Sequence, residues 1–94
     1  MASTLMSVQI IPKAENVIPL VDEAITIIHE SGVKYEVHPL ETTMEGELSD
    51  LLAILEKMNQ RMIELGSPNV ITQVKILYQP TGITMGTLTE KYRA

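Results

Sequence analysis

Ninety-four residues accommodate one domain, residues 1–94, and leave no room for a second. Apolar residues make up 45% of the chain, yet its three aromatics are all Tyr, so the core is aliphatic, built from Leu, Ile, Val and Met. The absence of Cys excludes disulfides and thiolate metal sites, and a net charge of −5 with only two arginines, Arg61 and Arg93, argues against nucleic acid, whose phosphates need clustered cations.

The first element alternates. Over residues 5–11, Met6, Val8 and Ile10 share one face and Leu5, Ser7, Gln9 and Ile11 the other, which predicts a strand ended by Pro12. Asn16 is placed to cap a helix whose first turn tolerates Pro19; Val17, Leu20, Val21, Ala24, Ile25 and Ile28 then recur at helical spacing until Ser31-Gly32 stops it. Val33, Tyr35 and Val37 alternate with Lys34, Glu36 and His38 in a second strand, and Pro39 suits the bend after it. A short third strand is expected over residues 42–47 with Met44 facing the core. Leu48, Leu51, Leu52, Leu55, Met58, Met62 and Leu65 form the stripe of a second helix, terminated by Gly66 and Pro68. Residues 70–79 alternate again as a fourth strand, broken by Pro80 and Gly82, and a short helix is expected over residues 88–93.

The order β-α-β-β-α-β is the ferredoxin-like plan: an α+β sandwich with a four-stranded antiparallel sheet and two helices on one face. The other sheet face then carries Leu5, Ser7, Gln9 and Ile11, joined by Lys34, Glu36 and His38, by Thr43 and Glu45, and by Ile71, Gln73, Lys75, Leu77 and Gln79. Its aliphatic ends make it too apolar for plain solvent, so it is expected to meet another subunit. A chain this short buries only roughly 60–65% of its unfolded surface, and association is an efficient way to bury more. With no signal-like start and no apolar run of about 18 residues, it is expected to be soluble and cytoplasmic, without a membrane partner.

The chemistry concentrates in residues 33–47, VKYEVHPLETTMEGE, where a strand runs into Glu41, Thr42, Thr43, Glu45 and Glu47 with no Lys or Arg between Lys34 and Lys57. Carboxylates beside hydroxyls can hold a small cation that also donates hydrogen bonds; a solvated hairpin is the plainer reading. His29 and His38 have no carboxylate at ligand spacing, so no metal site is expected. His29 suits the end of the first helix as a dipole partner, whereas His38 is a candidate pocket residue. No catalytic residue is indicated: there is no Cys, no Gly-x-Ser-x-Gly elbow and no phosphate loop, and the PKAENVIP segment after the first strand lacks the arginine of an acylphosphatase cradle. RNA-recognition domains of this topology stack bases on strand aromatics, where this chain has Leu, Gln and Lys.

Taken together, the segments SVQIIPK, SGVKYEV, LETTMEGE and VKILYQP resemble, in order and over residues 7–79, the small thiamine-binding protein family of ferredoxin-like domains. The most specific motif is the hairpin, Gly-Thr-x-(Ile/Val)-Glu-Gly in the family. Thr42, Glu45 and Gly46 match it, Met44 stands for the branched residue, and Glu41 replaces the first glycine. Gln79 departs from a common arginine, and Leu77 and Tyr78 lie where many members carry an acid. The resemblance implies non-enzymatic binding of thiamine or its hydroxymethylpyrimidine part, with no cofactor, in a homodimer or homotetramer formed by sheet association. Glu45 would then accept from the exocyclic amine and offset the thiazolium charge, while Thr42 or Thr43 and the amide of Gln9 would satisfy the ring nitrogens, with His38 a candidate pocket residue whose plainer reading is a polar strand position. Thr42 and Glu45 have opposite parity, so a shared ligand requires a bulge or a pocket at the strand end. The competing expectation is a structural or regulatory oligomerisation module whose acidic hairpin caps a subunit interface.

Overall fold

The computed structural model describes residues 2–93. Its elements are β1 (Ala2–Pro12), α1 (Ile18–Ser31), β2 (Lys34–Val37), β3 (Thr42–Gly46), α2 (Leu48–Glu64), β4 (Val70–Ile83) and α3 (Met85–Thr89), followed by a 3-10 turn (Glu90–Tyr92). The strand order is β2-β3-β1-β4 with every neighbour antiparallel. This is the expected ferredoxin-like sandwich with a helical segment added at its end.

Alternation along the strands builds the core. Met6, Val8 and Ile10 of β1 and Met44 of β3 pack against Ala24 and Ile28 of α1 and against Leu51, Ile54, Met58 and Met62 of α2. The buried line of α2 is rotated slightly from the expected stripe. Ile54 is buried and Leu52 is exposed, because the strict helical step from Leu51 favours i+3 over i+1. At the start of α1, Asn16 Oδ1 accepts from the Ile18 amide at 3.3 Å; at its end Gly32 adopts φ 83°, the left-handed conformation that closes a helix.

Two expectations change at the C-terminal end. Pro80 and Gly82 do not end the fourth strand, for β4 continues to Ile83. Thr4 pairs with Tyr78 and Ala2 with Ile83, so the intervening residues of β4 bulge, with Gly82 at φ 111° and Gln79 Nε2 donating to the Gly82 carbonyl at 2.9 Å. β4 is a sheet edge, and at an edge bulge a proline costs no ladder hydrogen bond. The last helix also begins earlier than expected, at Met85, because Thr84 caps it by accepting from the Thr87 amide at 3.1 Å.

This segment folds back over the sheet. Leu5, on the face away from α1 and α2, is buried with Ile83 and Met85 in a second small cluster. One end of the face expected to meet another subunit is therefore covered by the chain itself. Among the described residues no helix is long and apolar enough to cross a membrane.

Candidate functional site

The β2–β3 turn, residues 38–41, projects beyond the sheet and forms a wall common to two recesses. The larger, about 340 Å³, opens between this turn, the end of β1 and the first turns of α1. Its floor reaches core residues Val8, Ile10, Ala24 and Met58, and its sides are Val17, Ile18, Val21 and Ile25 of the helix and Val37 and Leu40 of the hairpin. The rim is unusually apolar, with Ile18 62% and Leu40 78% exposed. Polar groups are few: Gln9, His38, Glu41 and Thr42. A cavity of this size, mostly apolar with a few convergent polar groups, has the character of a small-molecule site.

Thr42 is the inward polar group. It is only 6% exposed, yet among the described residues its hydroxyl makes no hydrogen bond, and it is not one of the groups sealed from solvent. A hydroxyl held against an apolar recess without a partner stands ready for a ligand. Its placement follows from strand parity. As the first residue of β3 it pairs with Val8 of β1 and Val37 of β2 and shares the helix-facing side with Met44.

The smaller recess, about 290 Å³, lies on the opposite face of the sheet. Leu5 and Thr43 line it, together with Glu36, His38 and Glu41, and the C-terminal segment closes it through Met85, Leu88, Thr89 and Arg93. Arg93 holds Glu36 at 3.0 Å, an exposed ion pair that contributes little to stability but closes one side of the recess.

The expected site residues therefore divide. Gln9, His38 and Thr42 come together on the larger recess, while Thr43 and His38 border the smaller. Glu45 lines neither: its Oε1 accepts from the Met85 amide at 2.7 Å, so the carboxylate fastens α3 to the sheet. The β1–β3 register runs without interruption from Thr4↔Gly46 to Val8↔Thr42. No bulge brings Thr42 and Glu45 to one ligand; they stand on opposite faces. Among the described residues no three His, Asp or Glu side chains gather as a metal site.

The wall residues of α1 escape a reading based on polar residues. The available signal was an excess of apolar positions at the start of that helix, since Val17 and Ile18 are exposed despite their type. Glu41 is named in the sequence as a hairpin acid, but a turn residue has no strand parity to show which face it takes. In the structure its Oε2 accepts from Ser7 Oγ at 3.0 Å and from Thr43 Oγ1 at 2.8 Å.

Comparison with known proteins identifies the family. Residues 6–94 match the family described as thiamine-binding protein. A UPF0045 protein of Clostridium perfringens is 46% identical over 90 residues, covering 94% of this chain and 95% of that protein. Among solved structures, a domain of unknown function (DUF77) from Bacillus cereus is 40% identical with a TM-score of 0.93, covering 98% of this chain and 91% of its own. A Thermotoga maritima protein described as a candidate thiamine biosynthesis/salvage protein is 29% identical with a TM-score of 0.89, covering 97% and 99% respectively.

Proposed function

The chain belongs to the thiamine-binding protein family, and from that premise we propose that it binds thiamine or a related hydroxymethylpyrimidine in the larger recess, as a subunit of a homo-oligomer and without transforming its ligand. The observation that carries this reading is Thr42, 6% exposed and with no hydrogen bond to its hydroxyl among the described residues, on the lining of a mostly apolar cavity of about 340 Å³.

A planar aminopyrimidine suits such a space. Its two faces pack on Val21, Ile25 and Leu40, and a ring nitrogen accepts from Thr42 Oγ1. Polar Gln9 and His38 line the same recess, able to meet the exocyclic amine. A neutral hydrogen bond contributes about 0.5–1.5 kcal/mol and one to a charged group about 1.5–3. Together with roughly 25 cal/mol per Å² of buried apolar ring surface, two or three such bonds suit micromolar recognition, about −8 kcal/mol.

Subunit association is supported by β4. It is an edge strand of 14 residues, far longer than the 4-residue edge β2. It exposes Ile71 (63%) and Leu77 on one face and Val74, Ile76 and Tyr78 on the other. An apolar edge of that length is a template for pairing with a second chain. The same feature favours the second reading, an oligomerisation module with no ligand. Calorimetric titration of dialysed protein with thiamine, and separately with free hydroxymethylpyrimidine, decides between the two. Saturable heat with a Kd in the micromolar range is expected; no heat with either compound leaves only the module.

A further inference from the structure

The middle of β4 is bare on its outer edge and on both of its faces. The sheet order ends on this strand, so its outer backbone groups face no neighbour. On the open face Leu77 is 42% exposed, and on the helix face Val74, Ile76 and Tyr78 are 38%, 43% and 56% exposed. The helix-face exposure has its cause in α2. Asn59 Oδ1 accepts from Thr72 Oγ1 at 2.7 Å, which holds the later turns of α2 over the start of β4 and leaves residues 74–78 beyond their cover. Leu52 and Ile63, seven residues before and four after Asn59, share that flank of the helix and are exposed too. The whole chain exposes 6131 Å², whereas a folded monomer of 10.4 kDa exposes about 5,400 Å². The excess of roughly 700 Å² is close to the ~800 Å² that each partner buries in an interface of standard size.

The same strand carries a self-complementary register. β4 pairs regularly with β1 from Val70 to Tyr78 and bulges only beyond, so Val74 is the midpoint of the regular stretch. A two-fold axis perpendicular to the sheet keeps every side chain on its own face only when a residue stands opposite its own counterpart. With Val74 on that axis, Ile71 meets the partner's Leu77 on the open face. On the helix face Val70 meets the partner's Tyr78, and Thr72 meets the partner's Ile76. Each bare segment then lies beside the partner's α2, which covers it. Lys75, the one charged side chain of β4, meets the partner's Gln73. Neighbouring registers are worse. An axis at Lys75 opposes two ammonium groups, one at Gln73 sets Ile71 against the partner's Lys75, and one at Ile76 draws Pro80 into the ladder.

We propose that two copies of this chain pair through β4, antiparallel about a two-fold axis at Val74, into one continuous eight-stranded sheet. The inference deepens the homo-oligomer part of the function proposed above and is independent of the ligand.

The chain has no cysteine, so single-cysteine variants report the register without background. Opposed Cα atoms of antiparallel strands lie about 4.5–5.5 Å apart, within disulfide reach. Mild oxidation should therefore convert Val74→Cys to a covalent dimer. Ile76→Cys should not link, because its two copies stand roughly 13 Å apart along the strands. By sedimentation velocity the wild type should be a dimer or a multiple of one. Val74→Lys, which sets two ammonium groups opposite each other, should at least halve that mass with an unchanged circular dichroism spectrum. Should Val74→Lys fail to fold, the two cysteine variants decide alone. An oligomeric wild type in which Val74→Cys stays unlinked, Ile76→Cys links instead, or folded Val74→Lys keeps the wild-type mass overturns this pairing and leaves association to another surface. A wild type that is monomeric at every concentration takes down both this pairing and the homo-oligomer reading, while the ligand titration stands apart.

Discussion

Val21→Trp is expected to lower thiamine affinity by more than tenfold, at least about 1.4 kcal/mol, while the protein stays folded. Val21 is half-buried on α1 and forms part of the wall of the larger recess, packing at the margin of the core. An indole there has an empty cavity to enter, so it fills the ligand's place instead of displacing core side chains. Overpacking costs of about 1–3 kcal/mol apply where no such space exists, and here the unfolding midpoint should move little. The pairing of the two measurements matters: lost binding with an unchanged denaturation curve identifies the cavity as the site, whereas lost binding with lost structure would say nothing about it.

Leu51→Ala should have the largest effect on stability, about 2–5 kcal/mol. Leu51 is fully buried in the first turns of α2, and Gly46 at the end of β3 approaches so closely that a Cβ on it would lie 3.2 Å from Leu51 Cδ2. The truncated side chain would leave a cavity between α2 and the strand that carries Thr42 and Thr43. For a domain of this size the total is only about 5–14 kcal/mol, so a large share of it is at stake. Urea denaturation should show a lower midpoint at an unchanged m value. A loss under about 1 kcal/mol would mean that α2 closes onto β3 without the contact described here.

Most of the scaffold was legible from periodicity. The alternation in β1, β2 and β3, the helical spacing of α1 and α2 and the stop at Gly32 each arise from local chemistry that the sequence displays directly. β4 was cut short because Pro80 reads as a breaker, and only the knowledge that β4 is an edge makes a proline tolerable there. The early start of α3 depends on Thr84 acting as a cap, a weak signal next to the Pro and Gly before it.

The site was legible in its faces more than in its partners. Parity placed Thr43 and Glu45 on one side of the sheet and Thr42 on the other, and the unbroken β1–β3 register follows it. Sequence also singled out Gln9, His38 and Thr42, which do share one recess. What periodicity cannot convey is which donor reaches a carboxylate. Glu45, the acid best placed by its motif, meets the amide of Met85 forty residues away. Glu41, standing where the motif has its first glycine, is instead held by Ser7 and Thr43 at the junction of both recesses. A long-range contact decided the first, and the second joins a local donor, Thr43, to a distant one, Ser7.

The central claim is that the ligand enters between α1 and the β2–β3 turn. Methyl NMR of Ile-, Leu- and Val-labelled protein titrated with thiamine tests it most directly. The expected result is saturable shifts concentrated at Val21, Ile25, Val37 and Leu40, with Leu5 and Leu88 unmoved. Shifts confined to Leu5 and Leu88, beside the smaller recess, or no shifts at all at high thiamine concentration, would contradict it.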